Sequence, residues 1–125
     1  MNLNQVTLPV SDMEKASDFY LRMGFLQIVD TPHYARFECP GGSSFSLSLS
    51  KEAFHNGAIV YFEHAELDEW VSELIEKGFE FEQLPTDMRY RWREAVLSDP
   101  SNNTIKLYWA GEDRLYPPWR VEKSY

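Results

Sequence analysis

The feature that most constrains the fold is a short pattern that occurs once in each half of the chain. Met23-Gly24-Phe25 ends a predicted helix and opens a strand, and Lys77-Gly78-Phe79 does the same 54 residues later. A strand-like segment and an amphipathic helix precede each copy, and further strand-like segments follow it. Such a repeat indicates one supersecondary unit used twice. A chain of 125 residues is the size of one domain and can bury its own core.

The first half predicts a strand, a helix and three more strands. Apolar and polar side chains alternate over residues 3–10, which is typical of a strand with two different faces. Ser11 and Glu14 fit a capping box at the start of a helix, and Gly24 supplies its end. The three strands that follow are predicted at residues 25–30, 34–39 and 45–49.

The second half predicts the same order of elements. A strand at residues 58–63 precedes a helical stripe of apolar residues that ends at Gly78, and a further strand is predicted at residues 79–83. A hairpin follows, in which Asn102 or Asn103 takes the left-handed conformation of the turn. Its strands are predicted at residues 92–98 and 104–109, and the aperiodic tail at 111–125 is expected to pack as an extended segment.

The composition excludes several classes of function. A net charge of −8 argues against nucleic-acid binding, which requires neutralisation of phosphates by Lys and Arg. No apolar run is long enough to cross a membrane, and the N-terminus lacks the pattern of a signal peptide. Cys39 is the single cysteine, so no internal disulfide is possible. We therefore expect a cytoplasmic protein with no membrane and no nucleic-acid partner.

Two motifs, in this order, resemble the vicinal-oxygen-chelate superfamily of glyoxalases, bleomycin resistance proteins and dioxygenases. The opening segment Val10-Ser11-Asp12-Met13, with Met23-Gly24-Phe25 after it, looks like the first module of that family. Leu97-Ser98-Asp99-Pro100 and the strand at Ile105-Lys106-Leu107 are similar to its closing hairpin. The likeness covers about residues 1–110, and the tail resembles that of a small uncharacterised bacterial branch.

The resemblance implies an α+β fold. Two tandem βαβββ modules would form a curved mixed sheet cup with the helices on its outer face. On this basis the chain is one glyoxalase/bleomycin-resistance-like domain, with module one at about residues 1–55, module two at about 56–110 and a tail at 111–125. By the same analogy we expect a homodimer.

Members of this family that do chemistry hold a divalent metal with four side chains, and this chain departs from that set. The corresponding positions fall on Gln5, on Ser48 (or Ser46), on Ala58 and on Lys106. A serine hydroxyl is a poor ligand, alanine has no donor atom, and an ammonium repels a cation. His33, His55 and His64 lie in connectors or at a strand end and do not complete the set. We therefore expect no metal cofactor.

Strand alternation predicts which side chains face the cup. Glu94 and Lys106 fall on adjacent strands and are expected to form an ion pair, either as a catalytic acid–base pair or as an ordering contact. Aromatic residues on the same face would supply flat walls of the kind found in small-molecule sites. The expected ligand-binding residues are Gln5, Thr7, Ser46, Ser48, Phe62, Trp92, Glu94, Lys106 and Tyr108.

Three hypotheses for function follow. The first is a metal-independent cup that binds a small molecule. The second is an enzyme of the lyase or dioxygenase type that uses a displaced divalent metal or the Glu94/Lys106 pair. The third is a scaffold whose cup is filled by its own side chains. The sequence does not identify the ligand, and it leaves open whether the cup is completed by one chain or two.

Overall fold

A computed structural model describes residues 1–125 and contains two helices and eight strands. The first half of the chain contains β1 (Gln5–Val10), α1 (Met13–Met23), β2 (Leu26–Asp30), β3 (Tyr34–Glu38) and β4 (Ser44–Leu49). The second half contains β5 (Ile59–Glu63), α2 (Leu67–Glu76), β6 (Gln83–Asp87), β7 (Arg93–Ser98) and β8 (Thr104–Trp109), and a 3₁₀ helix follows at Gly111–Arg114.

The strands form two four-stranded sheets with the same topology. The order is β1-β4-β3-β2 in one sheet and β5-β8-β7-β6 in the other. In the first sheet, β1 is parallel to β4, and β3 is antiparallel to both of its neighbours. The prediction of an α+β fold built from two tandem βαβββ modules is confirmed.

The chain divides into two compact units whose borders depart slightly from the order of the sequence. The first unit contains Met1–Ile59 together with the turn at Ser98–Thr104. The second unit contains Val60–Leu97 and Ile105–Tyr125, so the tail belongs to it. No helix is both long and apolar enough to span a membrane.

The core of the first unit is aromatic. Tyr20 of α1 packs its ring edge-on against Phe45 of β4, with ring centres 5.0 Å apart, and Phe37 of β3 stacks on Phe45 at 5.1 Å. All three side chains are almost completely buried. The two phenylalanines are buried because strand alternation places Phe37 and Phe45 on the sheet face that α1 covers.

The start of α1 differs from the predicted capping box. Asp12 is the N-cap residue, and its side chain accepts a hydrogen bond from the backbone N–H of Lys15 at 3.0 Å. Ser11 lies one residue earlier, and its N–H donates to the hydroxyl of Ser101. The prediction that Ser11 caps the helix is wrong, because the carboxylate of Asp12 is better placed to accept from the first turn.

The turn between β7 and β8 is a buried polar structure of the first unit. The Asp99 carboxylate accepts hydrogen bonds from the Tyr20 hydroxyl at 2.7 Å, from the N–H groups of Ser101 and Asn103, and from the Asn103 amide. The same amide also donates to the carbonyl of Pro9. Asn102 has a φ of 65°, which confirms the left-handed turn residue predicted for this position.

The strand predicted at residues 79–83 lies further along the chain, at β6. The N–H of Phe79 donates to the carbonyl of Leu74 at the end of α2. Because this N–H is used to satisfy the helix end, it does not pair with a neighbouring strand. Pro85 lies within β6 and is tolerated because β6 is at the edge of its sheet. The pairing with β7 shifts register between Gln83 and Thr86.

Candidate functional site

The first unit carries a connected polar network on its sheet. The Gln5 amide donates to the hydroxyl of Ser46 at 2.6 Å, and Ser44 donates to the Gln5 carbonyl oxygen. The Ser46 hydroxyl also lies 2.5 Å from the phenol oxygen of Tyr34, to which Arg36 donates two hydrogen bonds at 3.0 and 3.2 Å. These contacts arise because β1, β4 and β3 are neighbours in the sheet.

Register explains which residues join this network. Thr7 pairs with Ser46 across β1 and β4, and Arg36 pairs with Ser46 across β3 and β4. Ser48 pairs with Tyr34. Thr7 and Ser48 are exposed, whereas Ser46 is fully buried. All four polar residues predicted for this half lie on the neighbouring strands β1 and β4, but the side-chain network contains only Gln5 and Ser46 of them. Tyr34 and Arg36 join this network without having been singled out in the sequence.

The environment of Tyr34 favours its ionised form. The hydrogen bond with Ser46 and those donated by Arg36 lower the pKa of Tyr34 below the ordinary value of a phenol. The donors outweigh the effect of partial burial, which acts in the opposite direction. The Tyr34 phenol is thus a stronger acid than an ordinary tyrosine side chain.

The second unit holds the ion pair expected between β7 and β8. Lys106 Nζ lies 3.0 Å from Glu94 Oε2. The side chain of Glu94 is 1% exposed and that of Lys106 is 21% exposed. Burial lowers the pKa of Lys106, but the hydrogen bond and charge of Glu94 outweigh it and raise that pKa above its ordinary value. Lys106 is therefore an ammonium at neutral pH.

An aromatic cluster lies beside this ion pair. Trp92 stacks on Tyr108 with ring centres 4.9 Å apart, and Tyr61 lies edge-on to both rings. Tyr90 is edge-on to Trp92 at 5.8 Å. The Lys106 ammonium lies 5.6 Å from the centre of the Tyr61 ring. This cluster joins the charged pair to the aromatic surface of the second unit.

The tail forms a hollow over this cluster. Its volume is about 300 Å³, and its lining consists of Tyr61, Tyr90, Trp92, Asp113, Arg114, Pro117 and Trp119. Glu63 holds the start of the tail by accepting the N–H groups of Ala110 and Gly111, and the Trp92 indole N–H lies 3.4 Å from the Asp113 carbonyl. The tail, predicted as a packing segment, is thus a wall of the hollow.

Tyr61 is the main residue that the strand pattern does not single out. Phe62 was expected beside Trp92, but successive residues of a strand point to opposite faces. The contacts of Tyr61 with Trp92 and Tyr108 therefore put Phe62 on the other face of β5. The repeat contains the missing signal, because the offset of 54 residues aligns Thr7 with Tyr61.

The basic residues near Trp92 pair with acidic side chains. Arg93 lies 2.9 Å from Asp68 and 3.0 Å from Asp87. Arg91 lies 3.8 Å from Asp113, at the edge of the hollow. Arg91 and Arg93, the two basic residues next to Trp92, are thus engaged in salt bridges.

The donor chemistry of the chain does not fit the divalent metal that the resemblance implies. The amide of Gln5 is committed to Ser44 and Ser46, and Lys106 is an ammonium paired with Glu94. Ala58 has no side-chain donor atom. No group of three or more His, Cys, Asp or Glu side chains is arranged to hold a metal ion.

Three solved structures have the same fold. A superfamily member from Sphaerobacter thermophilus DSM 20745 is 27% identical, with a TM-score of 0.73 and coverage of 87% of this chain and 97% of that chain. A glyoxalase/bleomycin resistance protein/dioxygenase from Nocardioides is 20% identical, with a TM-score of 0.77 and coverage of 98% and 90%. A lactoylglutathione lyase from Agrobacterium tumefaciens is 18% identical, with a TM-score of 0.70 and coverage of 86% and 92%.

The last two likenesses are below 25% identity and show the fold alone. No curated protein matches the chain. A family model described as Glyoxalase/Bleomycin resistance protein/Dioxygenase superfamily matches residues 2–107, which is most of the chain. With the two βαβββ modules already described, this match shows that the chain belongs to the glyoxalase/bleomycin resistance protein/dioxygenase superfamily.

Proposed function

We propose that this protein binds a small organic molecule in the hollow of its second unit, without the metal that the family commonly uses. The observation that carries the proposal is the hollow of about 300 Å³, with four aromatic side chains and two charged ones in its lining. Small-molecule sites are commonly concave, mostly apolar and furnished with a few polar groups. A volume of this size suits a compact ligand.

Backbone strain next to the hollow supports the proposal. Arg91 has a φ of 73° although it is not glycine, and it lies between the two lining residues Tyr90 and Trp92. Such a conformation costs roughly 1–3 kcal/mol and is concentrated at functional sites. The strained backbone of Arg91 therefore lies between Tyr90 and Trp92 and helps to fix the positions of these two aromatic side chains.

A thermal-shift screen tests the proposal. Cationic, anionic and neutral aromatic compounds would be compared for their effect on the melting temperature, because a ligand that binds only the folded chain raises it. We expect at least one class to raise the melting temperature of the native protein and to lose that effect in Trp119→Leu. Trp70→Leu is the matched control, since Trp70 stacks on His64 and does not line the hollow. If no compound raises the melting temperature, the proposal fails.

The second candidate function is an enzyme of the lyase or dioxygenase type. One observation favours it: the Glu94 carboxylate is 1% exposed and lies beside a single ammonium, which is an environment found for catalytic bases. Metal analysis of protein purified without chelators separates the two candidates. Stoichiometric zinc, nickel, manganese or iron would overturn the metal-free proposal. Loss of α-deuterium from carbonyl compounds that Glu94→Gln abolishes would favour the acid–base route.

We also infer that the protein forms a homodimer, as members of this superfamily commonly do. Several large apolar side chains of the second unit are more than half exposed, among them Leu84, Leu115 and Val121. Contiguous apolar surface typically marks sites of association, and we propose that these side chains contribute to such a surface. Size-exclusion chromatography with light scattering measures the mass directly, and a mass of one chain would contradict the inference.

A further inference from the structure

The hollow of the second unit is walled by aromatic rings rather than by aliphatic side chains. Tyr61, Tyr90, Trp92 and Trp119 line it, and Pro117 is its one aliphatic wall. The face of an aromatic ring carries the negative part of its quadrupole. Rings that surround a common space therefore attract a positive charge, as in the aromatic cages that recognise quaternary ammonium groups.

The ring orientations fit such an enclosure. Tyr61 is inclined at 89° to Trp92 with ring centres 5.9 Å apart, and Tyr90 is inclined at 79° to Trp92. Tyr108 stacks against one face of the Trp92 indole. Two rings nearly perpendicular to a third make a corner, and Trp119 of the tail adds a further aromatic wall. Trp92 is already held by its stacking on Tyr108, so it loses little conformational freedom when a ligand enters.

The protein's own cation already uses one of these rings. The ammonium of Lys106 lies 5.6 Å from the centre of the Tyr61 ring, within the range of a cation–π contact. Lys106 is also held by Glu94, so it is fixed at the sheet rather than free to fill the hollow. Tyr61, which lines the hollow, therefore already makes one cation–π contact within the protein.

The lining of the hollow contains one acidic and one basic side chain, Asp113 and Arg114, whose charges nearly cancel. The aromatic ring faces therefore decide whether a positive or a negative ligand is preferred. Arg91 lies 3.8 Å from Asp113, and Arg114 lies 3.9 Å from Glu63; both distances are beyond hydrogen-bond range. Asp113 is less exposed than Arg114, with side-chain exposures of 31% and 48%. Asp113 pairs with Arg91 only at 3.8 Å, so its carboxylate can also face a cationic head group at the rim of the hollow, in a chain whose net charge is −8.

We propose that the hollow selects an organic cation, with a quaternary or protonated alkylammonium head group, over a neutral molecule of the same shape. This inference rests on the proposed small-molecule function and adds the chemical class of the ligand. The head group contacts Tyr61, Trp92 and Trp119, and Asp113 supplies the counter-charge at the rim.

Calorimetric titration with matched probes tests this inference. The probes are choline and benzyltrimethylammonium, each paired with the uncharged isostere in which a carbon replaces the nitrogen. Because each cation–π contact contributes about 0.5–2 kcal/mol, we expect the cations to bind at least about tenfold more tightly than their isosteres. Trp119→Leu should remove most of this preference, Trp119→Phe should restore part of it, and Trp70→Leu should leave it unchanged.

The outcomes separate this inference from the function on which it rests. If cation and isostere bind equally, or if only neutral or anionic compounds bind, the cation inference is wrong and the small-molecule function stands. If neither these probes nor the wider thermal-shift panel binds, both fail. A cation preference that survives unchanged in both Trp119→Leu and Asp113→Asn would place the cation elsewhere and overturn the inference as well.

Discussion

Two N–H groups of Arg36 donate to the phenol oxygen of Tyr34, and the Ser46 hydroxyl shares a further hydrogen bond with it. Since these contacts stabilise the phenolate, we expect Tyr34 to ionise at lower pH than an ordinary tyrosine side chain. The difference between the near-ultraviolet titrations of the native chain and Tyr34→Phe isolates this residue. Ser46→Ala should raise the pKa of Tyr34 towards its ordinary value, whereas Ser48→Ala, which removes no contact of the phenol, should not. An unchanged titration in Ser46→Ala would contradict the prediction.

Tyr20 is the residue whose buried hydrogen bond should matter most for stability. Tyr20→Phe removes the only hydroxyl donor to the buried Asp99 carboxylate, and we expect a loss of about 1–3 kcal/mol in the free energy of unfolding. Denaturant unfolding measures it. Tyr116→Phe is the control, because Tyr116 is 65% exposed. Equal stability of Tyr20→Phe and the native chain would refute the role of this bond.

The same residue predicts a dependence of stability on alkaline pH. Burial, followed by the charge and hydrogen bond of Asp99, raises the pKa of Tyr20 far above its ordinary value. A raised pKa in the folded state means that this contribution is fully present below the unfolded pKa of about 10 and is lost as pH rises above it. We expect the native chain to lose stability above that pH more steeply than Tyr20→Phe, as measured by denaturant unfolding at a series of pH values.

Glu94 and Lys106 should behave as one unit. Lys106→Met leaves a carboxylate that is 1% exposed without its counter-charge, and breaking a buried pair in this way costs about 3–5 kcal/mol. Replacing both residues with Met removes the stranded charge, so the double variant should be more stable than Lys106→Met alone. Denaturant unfolding of Glu94→Met, Lys106→Met and the double variant gives the coupling free energy between the two residues. A double variant no more stable than Lys106→Met would show that the pair is not coupled.

At the scale of secondary-structure elements, alternation and capping signals account for most of what the sequence predicts. The order of strands and helices follows from apolar periodicity and from Gly24 and Gly78, which end the helices. The errors occur where a second interaction competes with the pattern. Asp12 displaces Ser11 as the cap, and the backbone of Phe79 closes α2 instead of opening a strand.

The candidate site is less predictable than the fold, because its residues depend on which face each strand presents. The pairing of Glu94 with Lys106 follows from a hairpin with a recognisable turn, so it can be expected from sequence. Tyr61 cannot be identified from alternation in β5, because the first four residues of the strand are all apolar or aromatic and mark neither face. Asp113, Pro117 and Trp119 belong to a tail without periodicity, so no sequence pattern indicates that they face Trp92.

The tail gives a prediction of its own. Ending the chain after Leu115 removes Pro117 and Trp119 from the hollow but keeps Asp113 and Arg114. We expect this variant to keep the circular dichroism spectrum of the native chain, since the strands and helices lie upstream, and to lose ligand-dependent stabilisation. A shorter deletion that removes only residues 121–125, which are exposed and outside the hollow, should keep both. Full ligand response after the longer deletion would exclude the tail from the site.

At the scale of the whole molecule, charge is the property that the sequence specifies most directly. A net charge of −8 attracts cations from solution and repels anions, and this long-range attraction is screened by salt over roughly 8 Å at physiological ionic strength. We expect the dissociation constant of a cationic ligand to rise with sodium chloride while that of its neutral isostere stays nearly constant. Titrations over a series of salt concentrations measure this, and equal salt dependence for both would contradict it.

The turn at Ser98–Thr104 sets a limit on how the chain can be divided. It belongs to the first unit, although β7 and β8 on either side belong to the second. A fragment that stops at Ile59 therefore lacks Asp99, the acceptor for the buried hydroxyl of Tyr20, and Asn103, the donor to the carbonyl of Pro9. The two repeated halves are consequently not interchangeable parts. The first needs the seven residues of this turn, so it can complete its folding only after residues 98–104 have been synthesised.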